Sequence, residues 1–278
     1  MPLTATGDII SAAAHKGTGV GAFNVIQLEH AEALVAAAEE ANTPVVLQIS
    51  ENAVKYHGAL EPIAVATLAA ARHSAAPVAV HLDHAESVDL VKEAVSLGLV
   101  SVMLDASKLP FEDNVRLTRE VTSYCHEHGV WVEAELGEVG GKDGAHAPGV
   151  HTDPDEAASF VKATGVDALA VAVGTSHAMV KRTAALDFDL IARLNAAVPV
   201  PLVLHGSSGV GDADLARAVA AGMTKVNIAT HLNRVFTGAV RSYLADDPAA
   251  VDTRTYLAPG RAAMAHEAAR LLSLLRAG

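Results

Sequence analysis

His84, His177 and His205 each sit where an apolar β-run ends and a turn rich in Gly, Ser or Asp begins, in the segments VAVHLDH, ALAVAVGTSH and PLVLHG. Neutral imidazole is a common ligand for divalent metals, zinc among them, and three protein ligands with one open position make a catalytic rather than a structural site. Glu135, at the end of VWVEAEL, is a fourth candidate ligand. Asp83 immediately precedes His84, so its carboxylate rises from the same strand end. Beside a metal-held substrate it can shuttle a proton; alternatively it orients a ligand imidazole from behind. Both roles require an acid here, and the residues alone leave them open. His81, three residues before His84, is expected to lie deeper, to point to the other face, and to be structural. His15, His57, His73, His126, His128 and His266 fall in helices or near helix ends and are expected to face solvent.

A second kind of chemistry is written into the turns. One β-run ends in His205-Gly206-Ser207-Ser208-Gly209 and another in Asn227-Ile228-Ala229-Thr230. Glycines allow close backbone approach, hydroxyls add donors, and a helix N-terminus favours an anion. Gly174-Thr175-Ser176, followed by Lys181, is a third small turn. Two such turns flanking metal-ligand candidates point to a phosphorylated substrate.

These positions meet only if the chain places strand ends together. Eight runs rich in Val, Ile and Leu recur: GVGAFNVI, PVVLQIS, PVAVHLDH, VSVMLDAS, VWVEAELG, ALAVAVG, PLVLHGS and KVNIAT. Amphipathic segments such as LEHAEALVAAAEEAN, NVRLTREVTSYCHEHG and GDADLARAVAAG lie between them. Asp153-Pro154 reads as a helix start, and Gly98, Gly129, Gly165 and Gly222 as helix ends. Near-continuous apolar strands alternating with helices indicate a parallel sheet covered on both faces. Eight units close it into an α/β fold of the (β/α)8 TIM-barrel type, whose active sites lie at the C-terminal ends of the strands. A helix from Asp8 to Lys16 is expected to plug the bottom, and a terminal helix to follow Pro259. No composition shift divides residues 1–278, so a single domain is expected. The Gly-rich stretch EVGGKDGAHAPGVHTDPD after strand five is too long for a plain turn, which marks it as functional or mobile.

Composition narrows the partners. With a net charge of -12 and no cluster of Lys and Arg, the chain is expected to bind neither nucleic acid nor a membrane surface. Its one cysteine, Cys125, excludes an internal disulfide and fits a reducing compartment, as a partly buried helix residue. The first residues carry neither a secretory pattern nor an apolar stretch of spanning length, so a cytoplasmic location is expected.

With HLDH at 81–84, EAELG at 133–137, GTSH at 174–177, LHGSSG at 204–209 and KVNIAT at 225–230, the chain resembles the class II, metal-dependent ketose-bisphosphate aldolases. The likeness runs from AFNVIQLE to TRTYLAPGRAAM, nearly the whole length. It is nearer the tagatose-bisphosphate type, since Ala229 stands where fructose-bisphosphate enzymes usually carry aspartate. The resemblance implies that His84, His177 and His205 bind Zn²⁺, with Glu135 as an alternative ligand or part of a second site. It also implies that Asp83 moves the proton of the C4 hydroxyl, and that Asn227 contacts the enediolate of dihydroxyacetone phosphate. The turns at Gly206–Ser208 and at 227–230 would hold the phosphate, with a second divalent or a monovalent cation nearby. Asn24 and Ser50 match polar positions at the ends of strands one and two, and a homo-oligomer, dimer or tetramer, is implied. The chain departs from the pattern at Ala178 and Ile26, and at Gly140-Gly141-Lys142-Asp143-Gly144, where relatives carry an acidic run whose glutamate exchanges the C3 proton. Asp143 is assigned that role here, with Glu138 as its alternative.

Three rival readings make different demands. A Schiff-base aldolase needs a lysine projecting into the barrel near a strand's C-terminal end; ALAVAVG has none, and Lys225 is expected at the wrong end of strand eight. A barrel hydrolase would more commonly show His-x-His on strand one, where AFNVI has no histidine. A non-catalytic sugar-phosphate-binding homologue, or an aldolase for a different phosphorylated ketose, is motivated by the altered loop.

Overall fold

A computed structural model describes residues 3–136, 151–175, 182 and 184–277. All eight apolar runs are strands: β1 (Val20–Asn24), β2 (Val45–Ser50), β3 (Val78–Ala85), β4 (Ser101–Leu104), β5 (Trp131–Leu136), β6 (Ala168–Val171), β7 (Leu202–Leu204) and β8 (Met223–Ile228). They pair in parallel in sequence order and close, β1 on β8, into a barrel. Parallel register with period-two alternation decides what points inward. Gln48 of β2 pairs with His81 of β3, Ser50 with Asp83, and Met103 of β4 with Glu133 of β5. Small and branched residues fill the lower interior, where Val20, Ala22, Val46 and Ala79 form one apolar layer. Above it the inward positions turn polar, and this change of chemistry along the barrel axis marks the mouth.

Helix α1 (Thr6–Lys16) closes the bottom as expected: Ile9, Ile10 and Ala13 complete the lower apolar layer. The helix boundaries follow their signals. In α7 (Pro154–Thr164) the Asp153 carboxylate accepts the amides of Asp155 and Glu156, satisfying two orphan donors. Gly165 ends α7, and Gly98 ends α5 (Val88–Leu97), both in the left-handed conformation. Cys125 is fully buried in α6 (Phe111–Glu127), deeper than expected, and burial pushes its thiol up to about 11. The last helix, α11 (Thr253–Arg276), departs from expectation by running through Pro259 rather than beginning after it. Asp252 caps it by accepting the Arg254 amide, and the one hydrogen bond that Pro259 removes is offset by the buried face Met264, Ala268, Leu271, Leu272 and Leu275.

Helix α2 (Leu28–Ala41) is tied to α10 (Thr230–Asp246) by a buried imidazole: His30 meets the ring of Phe236 edge-on, with centroids 4.9 Å apart. Burial lowers the His30 pKa from 6.5 to about 4, against the raising effects of Glu29 and of a hydrogen bond to the Asn24 backbone. Between those two values the unfolded chain binds a proton that the folded chain does not. Stability therefore rises with pH through this window and is lost on acidification, by about 3 kcal/mol in full. His30→Gln is expected to flatten this part of the stability curve; urea midpoints that fall in parallel for both proteins from pH 6.5 to 4 would reject the assignment.

Candidate active site and metal centre

Alternation along β3 turns Asp83 inward and should turn His84 out toward the helices. His84 nevertheless reaches the mouth, because it adopts a left-handed backbone (φ 51°) where the register of β3 on β4 slips. A non-glycine residue held in that region costs on the order of 1–3 kcal/mol, which persists where the surroundings require it. The slip also corrects the expectation for His81: its side chain lies inside the barrel, on the same side as the His84 ring. There His81 Nδ1 pairs with Ser101 Oγ at 2.9 Å, which in turn meets Thr6 Oγ1 of α1 at 2.6 Å. Burial first, then the Lys225 charge, push the His81 pKa well below its ordinary value, so the ring is neutral and structural.

Two carboxylates aim the mouth imidazoles. Asp105, just past β4, accepts His84 Nδ1–H at 2.9 Å, and its other oxygen is fixed by the amide and hydroxyl of Ser107. This hydrogen bond fixes the tautomer of His84, with the lone pair on Nε2. Glu133 of β5 accepts His205 Nε2–H at 2.9 Å, which places the lone pair of that ring on Nδ1. The rings of His84 and His205 stand 4.6 Å apart, nearly perpendicular. His205 Nδ1 lies 3.1 Å from Glu135 Oε2. A nitrogen lone pair facing a carboxylate oxygen is repulsive unless a proton or cation mediates, and both atoms are fully buried. Asp83, His84 and His205 bring one ligand atom each within 4.8 Å, as do His84, Asp105 and Glu135. This donor set, nitrogen with carboxylate oxygen and an orienting carboxylate behind each imidazole, fits a divalent transition metal.

Lys225 corrects another expectation. It is not at the wrong end of β8 but inside the barrel, fully buried, with Nζ 2.8 Å from Glu133 Oε2 and 2.9 Å from Asn227 Oδ1. Because the ammonium can only donate, it fixes the amide of Asn227 with its NH₂ group turned away. That Nδ2 is buried and has no partner among the described residues. Asp83 Oδ1 likewise has none, while Oδ2 accepts from Gln48 Nε2 at 3.3 Å. Gln48 also donates to Asn24 at 2.8 Å.

Of these groups, Asn24, Gln48, Asp83, His84, Asp105 and Asn227 line one cavity of about 460 Å³. One wall is formed by Gly206, Ser208, Asn227, Ala229 and Thr230. Gly206 is left-handed (φ 67°) and leads into a short 3₁₀ turn, Ser207–Gly209. Of the two serines only Ser208 lines the cavity; the Ser207 hydroxyl is turned to the Leu204 carbonyl. The cavity is also lined by Ser50, whose hydroxyl accepts the Ala53 amide, and by two ion pairs, Lys55–Glu51 at 2.9 Å and Lys108–Glu86 at 3.3 Å. Gly174 has φ 104° and lies outside this wall; a Cβ there would come within 2.3 Å of the Ala185 carbonyl oxygen. Of the predicted site residues, His177, Lys181, Asp143 and its alternative Glu138 lie outside the described residues.

A family model for class II fructose-bisphosphate aldolase matches residues 4–278. The chain belongs to that family. It is a carbon–carbon lyase in a family of metal-dependent enzymes acting on small phosphorylated sugars. A fructose-bisphosphate aldolase of Geobacillus stearothermophilus is 41% identical over 268 residues, covering 95% of this chain and 93% of the relative. Among solved structures, the YdjI aldolase from Escherichia coli K12 matches with a TM-score of 0.87 at 34% identity, over 98% of this chain and 97% of that one. A fructose-bisphosphate aldolase from Campylobacter jejuni, 22% identical, shares the fold with a TM-score of 0.82 over 98% of this chain and 95% of its own. Gln48, Asp105, Glu133 and Lys225 are site residues that the sequence motifs did not single out as such. Among the described residues no helix is long and apolar enough to cross a membrane.

Proposed function

We propose that the chain catalyses the reversible, zinc-dependent aldol cleavage of a ketose 1,6-bisphosphate of the tagatose or fructose type, giving dihydroxyacetone phosphate and an aldehyde such as glyceraldehyde 3-phosphate. The observation that carries this reading is one cavity lined by Asp83 and His84, with the buried His205 ring packed against His84, and also by Gly206, Ser208, Ala229 and Thr230 of the two turns. His84 and His205, with His177 and, in a second arrangement, Glu135, would hold the cation. When bound, Zn²⁺ supplies a Lewis acid for the ketone oxygen.

Asp83 acts as the base. It takes the proton of the C4 hydroxyl as the C3–C4 bond breaks, the aldehyde carbonyl forms at C4, and the bonding electrons move from C3 toward the C2 oxygen. Asn227 Nδ2 donates to the charge that develops there, a donor preorganised by Lys225. Gly174, Gly206, Ser207, Ser208, Ala229, Thr230 and Lys181 are assigned to the phosphate end, and Asn24 and Ser50 to the sugar. Asp143 is assigned the C3 proton. The balanced charges of Lys55, Glu51, Lys108 and Glu86, which also line the cavity, favour, as a second reading, a ketose phosphate whose aldehyde half is less anionic. The family likeness supports a homo-oligomer formed from one catalytic domain of residues 1–278, and buried, reduced Cys125 a cytoplasmic setting.

The test is purification with zinc quantified, followed by triose-phosphate release from tagatose- and fructose-1,6-bisphosphate with and without chelator. Loss of activity on chelation and recovery with Zn²⁺ are expected. Activity that survives chelation and is trapped by borohydride in the presence of substrate would defeat the zinc mechanism and point to Lys225.

A further inference from the structure

A chain of charges runs from one phosphate-side turn to the other around the outside of the barrel. His231, the second residue of α10 and the neighbour of Thr230, donates through Nε2 to Glu267 Oε1 of α11 at 2.7 Å. Arg270 grips both oxygens of Glu267 at 2.8 Å, and its Nη1 reaches Asp212 Oδ2 at 2.7 Å. Asp212, the first residue of α9 (Asp212–Ala221), holds Arg182 Nη2 at 2.7 Å through its other oxygen. Arg182 ends the chain by donating from Nε to the carbonyl of Val210 at 2.8 Å, one residue past the 3₁₀ turn. On the cavity side the same two turns are joined directly, the His231 amide donating to Ser208 Oγ at 3.1 Å.

We infer that His231, held by Glu267 and Arg270, is a positioning residue that sets the spacing of the two turns and so the affinity for the substrate's phosphate. Exposed ion pairs ordinarily contribute little. This set differs in containing an arginine that is bidentate on one carboxylate, and in having both ends attached to residues beside the cavity wall. Its effect on Ser208 is specific. With an oxygen lone pair occupied by the His231 amide, the hydroxyl hydrogen of Ser208 remains to be donated toward an anion in the cavity. The hydrogen bond from Arg270 holds the Glu267 carboxyl below its ordinary range, so Glu267 is charged at neutral pH and keeps its hold on His231.

The inference rests on the phosphate-side reading proposed above, and the experiment separates the two. Steady-state cleavage, zinc content and inhibition by inorganic phosphate are measured for the wild type, His231→Ala, His231→Gln and Glu267→Gln. His231→Ala is expected to raise KM and the phosphate inhibition constant together, roughly tenfold, with kcat and zinc content held. His231→Gln, which keeps a donor toward Glu267, restores most of the loss. Should His231→Ala fail to fold, Glu267→Gln carries the test, since it leaves the shape intact and weakens the Arg270 grip; a rise in KM and phosphate inhibition constant is expected there too. Unchanged KM in folded variants, or a loss of zinc or kcat without a rise in KM, overturns the positioning role while leaving the aldolase reading standing. A wild type that neither cleaves a ketose phosphate nor is inhibited by phosphate overturns the aldolase reading, and the inference with it.

Discussion

Asp83→Ala is expected to retain the wild-type metal content and to lose turnover by a factor on the order of 10² to 10⁴, the usual contribution of a positioned general base. For the two described ligand candidates the orienting place is already filled, since Asp105 accepts from His84 and Glu133 from His205. Asp83 Oδ2 stands 4.0 Å from His84 Nε2, too far for a hydrogen bond, and its hydrogen bond to Gln48 is long at 3.3 Å. A buried carboxylate with so few hydrogen bonds costs stability, and a reaction that needs the group accounts for its presence. Asp83→Asn, which keeps the shape and removes the basicity, should lose nearly as much rate as alanine. Metal content by elemental analysis, paired with single-turnover cleavage, checks both variants. Loss of the metal from Asp83→Ala would make Asp83 a ligand instead.

Strand ends and turns were readable because they repeat: an apolar run followed by Gly, Ser, His or Asp marks the mouth of a parallel barrel at every turn of the pattern. The same rule applied more strictly finds Asp105, at the end of SVMLDAS, and the period of two finds Glu133 below Glu135 and Lys225 below Asn227. These signals are weak on their own, because a Lys–Glu pair inside apolar strands gains meaning only once its buried partners are known. What the pattern could not supply is the conformation of His84. Alternation assigns it to the outer face, and only the slip of β3 on β4 with a left-handed backbone brings its ring to His205. The run of α11 through Pro259 was hidden for a similar reason: propensity marks a stop, and a buried helix face overrides it. The bridge from His231 to Arg182 joins residues from four separate segments, which no local spacing encodes.

The buried pair at the base of the site carries the largest expected effect on stability. Lys225→Met would leave the Glu133 side chain fully enclosed and, among the described residues, hydrogen-bonded by His205 alone, since His81 Nε2 stands 3.9 Å away on a neutral ring. Removing one partner of such a pair costs about 3–5 kcal/mol. In a chain of this length that corresponds to a fall in melting temperature on the order of 10 °C. Glu133→Gln added to Lys225→Met removes the stranded carboxyl group while its amide oxygen still accepts from His205, so the double variant is expected to recover much of the loss. A double-mutant cycle followed by thermal melting measures that coupling; strict additivity would mean that the pair is not energetically linked. Activity separates stability from chemistry. Without the ammonium, Asn227 Oδ1 loses the donor that fixes its amide, so the folded double variant should bind metal and substrate yet turn over more slowly, on the order of 10²-fold if Asn227 supplies an oxyanion donor. A double variant with wild-type kcat would remove Asn227 from the reaction and restrict Lys225 to holding the barrel floor.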